Sequence, residues 1–87
     1  MKRKDGFILQ QIGGEAYAVA VTPESARLGS MIRLNATGAL LFSLLEKETT
    51  AAELTSALAA RFDIDEATAA RDVERFLASL CDADLLA

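Results

Sequence analysis

The sequence predicts a small α+β domain in which a three-stranded antiparallel sheet precedes three helices, the outline of a winged helix-turn-helix. Three observations predict it. At 87 residues the chain has room for a single domain, residues 1–87. Hydrophobic residues make up 52% and charged residues 25%, the profile of a folded chain with a small core. Apolar residues alternate up to Leu34 and recur at helical spacing after it.

The extended segments come first. Residues 7–12 form the first, and Gly13-Gly14 is a tight-turn signal leading into a second over 16–21. In that second segment Tyr17, Val19 and Val21 share one face, and Ala16, Ala18 and Ala20 the other. Thr22–Gly29 reads as a loop. The third segment, 30–34, puts Ile32 and Leu34 on one face and Met31 and Arg33 on the other.

The period then changes. Asn35 is a good N-cap for a helix over about 36–47, with Leu40, Leu41, Leu44 and Leu45 as its core stripe. Thr50-Ala51-Ala52-Glu53 is a capping box: the hydroxyl accepts the Glu53 N–H, and the carboxylate reaches back. The helix it opens, about 51–62, carries Leu54, Leu58 and Phe62. Asp65 caps a third helix over about 66–82, striped by Val73, Phe76, Leu77, Leu80 and Cys81, with Cys81 expected as a buried thiol. Leu85 and Leu86 form a tail that returns to the core.

Composition excludes several function classes. The chain has no histidine, the commonest general base and metal ligand. Its one cysteine allows neither an internal disulfide nor a cysteine-rich metal site. No clustered carboxylate pair is evident, so neither catalysis nor a cofactor or metal is expected. No run approaches the ~20 apolar residues of a membrane span, and no signal-peptide pattern follows the basic opening, which reads as cytoplasmic. The formal charge is −4, unevenly spread: residues 1–45 are net +2 and residues 46–87 net −6. A recognition helix would lie in the acidic half, which speaks against nucleic acid as a partner.

The ordered set of short motifs resembles the PqqD family. Leu34-Asn35-Ala36-Thr37-Gly38-Ala39-Leu40-Leu41-Phe42-Ser43-Leu44-Leu45 is similar to the family's L-N-x-T-G-x-x-(L/I)-(W/F)-x-L-L segment. Thr50-Ala51-Ala52-Glu53-Leu54 resembles its T-x-x-E-L helix start. Phe62-Asp63-Ile64-Asp65 and Asp72-Val73-Glu74-Arg75-Phe76-Leu77 resemble its Y/F-D-V-D and D-V-x-x-F-L pieces. Asp84-Leu85-Leu86 is similar to its G-L-L ending, with Asp where Gly is usual. The resemblance implies a peptide chaperone (a recognition element of ribosomal peptide natural-product biosynthesis). Such a protein binds the leader segment of a precursor peptide and presents it to a modifying enzyme, often a radical SAM enzyme. The leader is expected as an added strand beside the third extended segment and against the third helix.

The candidate site is therefore Ser30, Met31, Ile32, Arg33 and Leu34 on the edge segment, with Arg71, Asp72, Arg75 and Phe76 on the helix. Strand addition uses unpaired backbone groups for affinity and side-chain pockets for selectivity. Lys2-Arg3-Lys4 ahead of the first segment is the kind of charge that discourages pairing there, which leaves the third segment as the receptive edge. Arg33, Arg71 and Arg75 would meet acidic leader side chains. Two other readings stand beside this one: a winged-helix DNA-binding regulator, and a small domain whose exposed edge forms a homodimer.

Overall fold

A computed structural model describes residues 1–27 and 31–87. Strands β1 (Phe7–Ile12), β2 (Glu15–Ala20) and β3 (Met31–Leu34) form an antiparallel sheet in the order β1-β2-β3. A short helix, α1 (Pro23–Ala26), lies between β2 and β3, followed after the sheet by α2 (Ala36–Leu44), α3 (Ala51–Phe62) and α4 (Glu66–Asp82). This is the strands-then-helices α+β architecture read from the sequence.

The loop reading of Thr22–Gly29 misses α1. Thr22 caps it reciprocally: its hydroxyl accepts the Ser25 N–H at 3.1 Å, and Ser25 Oγ accepts the Thr22 N–H at 3.1 Å. Pro23 supplies a fixed φ at the first turn. The box anticipated at Thr50 is instead only half formed. Thr50 Oγ1 accepts from Glu53 N–H, while the Glu53 carboxylate takes the Thr49 and Thr50 hydroxyls and not a backbone N–H.

Pairing registers assign the faces. Phe7 stands opposite Ala20, Leu9 opposite Ala18, and Gln11 opposite Ala16; Ala16 and Ala18 in turn stand opposite Leu34 and Ile32. The alanine side of β2 faces the core, and Ala18 is fully buried. Small residues there let the helices approach the sheet closely. The larger Tyr17, Val19 and Val21 face outward, in company with Ile8, Ile12 and Met31.

The core joins Phe7, Ala18 and Leu34 of the sheet to Leu41, Phe42 and Leu45 of α2, Leu54 and Leu58 of α3, and Val73 and Leu80 of α4. Phe7 meets Phe42 edge-on, with ring centroids 6.3 Å apart. Two sequence expectations fail here for the same reason. Leu44 is 37% exposed, and Cys81 is exposed. At ~100° per residue, Leu44 lies roughly 110° from the centre of the arc that Gly38, Leu41, Phe42 and Leu45 bury. Cys81 lies about 80° round α4 from Val73, past the α3 contact. Spacing by threes and fours drifts off a narrow buried arc.

The N-terminal segment closes the end of α2. Arg3 is 7% exposed, stacks its guanidinium 4.5 Å from the Phe42 ring centroid, and donates from Nε to the Phe42 carbonyl at 3.1 Å. Its backbone N–H donates to the Leu45 carbonyl at 2.8 Å. The last turn of α2 carries no basic residue of its own, so Arg3 supplies a cation to its orphan carbonyls and dipole end. The C-terminal tail lies alongside. Lys4 N–H donates to Leu85 O, Arg3 bridges Leu86, and Leu85 is 2% exposed. Asp84 turns the chain into this tail with φ +59°, and its carboxylate bonds Lys4 Nζ at 2.9 Å. No helix among the described residues is long and apolar enough to cross a membrane.

Candidate functional site

The hairpin register decides which backbone groups β3 leaves free. Gly13 and Gly14 make the two-residue turn, both at positive φ, so Ile12 and Glu15 form the closing pair. Val21 N–H donates to Gly6 O at the far end. Bonded pairs alternate between these ends, so Glu15, Tyr17 and Val19 direct their backbone groups to β1. Ala16 and Ala18 then serve β3 through Leu34 and Ile32. The N–H and C=O of Met31 and Arg33 point away from the sheet, at its open edge.

Helix α4 faces that edge across a groove. Its apolar part, about 400 Å³, is lined by Ile32, Arg33 and Leu34 on one side and Phe76, Leu80 and Ala83 on the other, with Ser79 and Leu85. A second part of about 280 Å³ continues past Asn35 to Thr37, Asp72 and Arg75. Phe76, Ser79 and Asn35 belong to both parts, so the two are continuous. One end is therefore apolar and the other polar.

Local sequence explains the walls. Asn35 ends β3 and caps α2, its Oδ1 accepting from Gly38 N–H at 2.7 Å and from the Thr37 hydroxyl at 3.1 Å. Asp65 caps α4 by accepting from Thr68 N–H at 2.7 Å. That backbone hydrogen bond holds the Asp65 carboxyl below the usual carboxylate range, the Thr68 hydroxyl and Arg71 adding to it. Once α4 starts there, Asp72, Phe76, Ser79 and Ala83 follow at threes and fours down one face, adjoining the core stripe of Ala69, Val73 and Leu80.

The anticipated residues divide into distinct groups. Ile32, Leu34, Asp72, Arg75 and Phe76 line the groove. Met31 is 53% exposed on the outer sheet face, so only its backbone reaches the edge. Arg33 lines the groove but aims its guanidinium outward, where Nε forms an ion pair with the Glu15 carboxylate at 3.2 Å. Arg71 does not line the groove; it stands by Asp65 at the helix start. Ser30 lies outside the described residues. Of the arginines expected to meet an acidic leader, Arg75 is the one placed at the polar end. Sequence reasoning misses Asn35, Thr37, Leu41, Ser79, Leu80, Ala83 and Leu85 as lining residues. The first was read only as a cap. Ser79 and Ala83 lie three and seven residues beyond Phe76, a spacing that marks them as neighbours on its helix face.

Another hollow, of about 420 Å³, lies on the opposite flank, between β1, α2 and the end of α3. It adjoins the β1 edge and shares only Leu34 and Asn35 with the groove. No group of three or more His, Cys, Asp or Glu among the described residues is placed to hold a metal ion.

Comparison with known proteins bears on this groove. No curated protein matches the chain. The chain is similar to a solved structure described as TbiB1 in complex with the TbiA(beta) leader peptide. The identity is 29% and the TM-score 0.75, covering 99% of this chain and 94% of that one. The family model for coenzyme PQQ synthesis protein D (PqqD) matches residues 17–86, which cover most of β2, all of β3 and all four helices. The chain belongs to the PqqD family.

Proposed function

We propose that this chain is a non-catalytic adaptor of the cytoplasm. It binds the leader segment of a ribosomally made precursor peptide and presents it to a modifying enzyme, of the radical SAM class. The observation that carries the reading is the open backbone edge of Met31 and Arg33, facing Phe76 and Leu80 across a groove. An added strand takes backbone hydrogen bonds from one wall and buries alternate side chains against the other. The structural similarity to a leader-peptide complex supports the same assignment.

The polarity of the groove favours a leader with an apolar side chain over Ile32, Leu80 and Ala83 and an acidic one near Arg75. A disordered leader loses roughly 2–5 kcal/mol on ordering. Affinity then rests on the apolar anchor, and Arg75 acts mainly on association rate and selectivity. A second copy of the chain is compatible with this function where it leaves the β3 edge open.

Arg33→Pro tests the reading. Proline removes the outward N–H of Arg33 and none of the bonds from β3 to β2, and edge strands tolerate it. The expected result is a folded protein that no longer binds a synthetic peptide of its cognate leader. Undiminished leader binding by the folded variant would contradict strand addition at β3.

A further inference from the structure

The other edge of the sheet is unguarded. Each basic residue ahead of β1 has a partner of its own: Arg3 is buried against Phe42, Lys4 pairs with Asp84 at 2.9 Å, and Lys2 pairs with Asp5 at 3.9 Å. β1 itself is six residues long, FILQQI, with no charge and no proline, and its register with β2 is unbroken. The alternation set by Gly6–Val21 and Ile12–Glu15 turns Ile8, Gln10 and Ile12 toward β2. It leaves the N–H and C=O of Phe7, Leu9 and Gln11 at the free edge. Ile8 is 45%, Leu9 37% and Ile12 46% exposed. A long, uncharged, apolar edge of this kind is a template for another strand.

We propose that the β1 edge pairs with the β1 edge of a second copy of this chain, antiparallel about a two-fold axis through Gln10. Register selects this occupant and this axis. With Gln10 opposite Gln10 of the partner subunit, Ile8 stands opposite Ile12 of the partner subunit, and Ile12 opposite Ile8. Both exposed isoleucines are then covered on one face. On the other face Leu9 and Gln11 stand opposite each other's copies, and these are residues whose free backbone groups face outward, so the bonded pairs fall in phase. The two-fold repeats each contact.

Charge favours a copy as well. None of the six side chains is charged, so self-juxtaposition meets no like charge. Glu15, across from Ile12, is already paired with Arg33. The hollow of about 420 Å³ beside Leu9 and Gln11, floored by Leu40 and Phe62, leaves room for the partner's core-side residues. Each β3 edge lies two strands from the junction, roughly 10 Å away, so both α4 grooves stay open. The junction is small, and the dimer is a reversible one.

Two measurements on the full chain test the proposal. Sedimentation equilibrium over a concentration series under reducing conditions should show reversible dimerisation. Gln10→Lys places like charges opposite each other only in the dimer and should weaken association roughly tenfold. In a Cys81→Ser background, Gln10→Cys should form an intermolecular disulfide on mild oxidation, because a non-hydrogen-bonded pair brings Cα atoms to about 4.5 Å. Gln11→Cys should not. A monomer throughout that gives no Gln10→Cys cross-link would overturn the proposal. So would a dimer that Gln10→Lys leaves unchanged, or cross-linking at Gln11 in preference to Gln10. Neither measurement uses a leader peptide, so failure here leaves the β3 reading standing.

Discussion

Gly38 and Phe76 meet across the junction of α2 and α4 so closely that a methyl group at Gly38 would lie 3.1 Å from Phe76 Cε1. The same methyl would lie 2.9 Å from Asn35 Oδ1, the oxygen that caps α2. The missing side chain lets the Phe76 ring settle against the start of α2 and form the step between the apolar and polar parts of the groove.

Gly38→Ala therefore separates stability from binding. Alanine in a helix gains about 1 kcal/mol over glycine. Displacing the Asn35 cap costs about the same. Thermal melting should change little, while the displaced Phe76 ring lowers leader affinity, measured by isothermal titration. A large loss of stability with unchanged affinity would place Phe76 outside the site.

Neighbouring leucines of α2 should behave oppositely. Leu45→Ala removes a side chain with no exposed surface and should cost about 2–5 kcal/mol in urea unfolding. Leu44→Ala, at a position 37% exposed, should cost under about 1 kcal/mol.

Arg3 is the buried cation of the fold and bonds carbonyls rather than carboxylates. Arg3→Ala leaves the Phe42 carbonyl unpaired near the end of α2 and removes the stacking on its ring. Unfolding in urea should show a loss of about 2–3 kcal/mol. Leader affinity, measured where the variant remains folded, should change little, because Arg3 itself does not line the groove.

The Asp65 cap gives a pH signature. Its folded-state carboxyl titrates below its unfolded value, so its contribution is whole at neutral pH. That contribution is lost as the pH falls below about 4, through the lowered folded value. Asp65→Asn keeps a capping oxygen without titrating. The variant should melt close to the parent when both are acidified and fall below it near neutrality, where the parent keeps a charged cap at the positive end of α4.

Much of this architecture is legible in the chain because its signals are local. Asn35, Thr50 and Asp65 each accept from the backbone N–H three residues on, and the change of hydrophobic period falls at Asn35. Facing is less legible. Which side of β2 turns inward depends on what packs there, and a row of alanines is a core face only because α2 lies against it. Leu44 and Cys81 belong to apolar stripes by spacing and miss the buried arcs by position. The withdrawal of Arg3 from the β1 edge is a long-range matter, fixed by Phe42 some forty positions along, and no local pattern announces it.

The candidate groove was half legible. Ile32, Asp72, Arg75 and Phe76 come together as their places on strand and helix suggest. The guanidinium of Arg33 and the side chain of Arg71 do not, because one is held outward by Glu15 and the other lies about 100° round α4 from Asp72. Side-chain direction at an edge strand is set by neighbours on the outer face, which sequence spacing does not name.

The most direct test of leader binding at β3 is a titration of isotope-labelled protein with its cognate leader, followed by amide NMR. The expected result is that the largest shifts fall on Met31 and Arg33 and on Phe76, Ser79, Leu80 and Ala83. Slowed hydrogen exchange should appear at the Arg33 amide, which has no partner within the sheet. Saturable binding with shifts confined to β1 or to α3, and with Arg33 exchange unaltered, would contradict it.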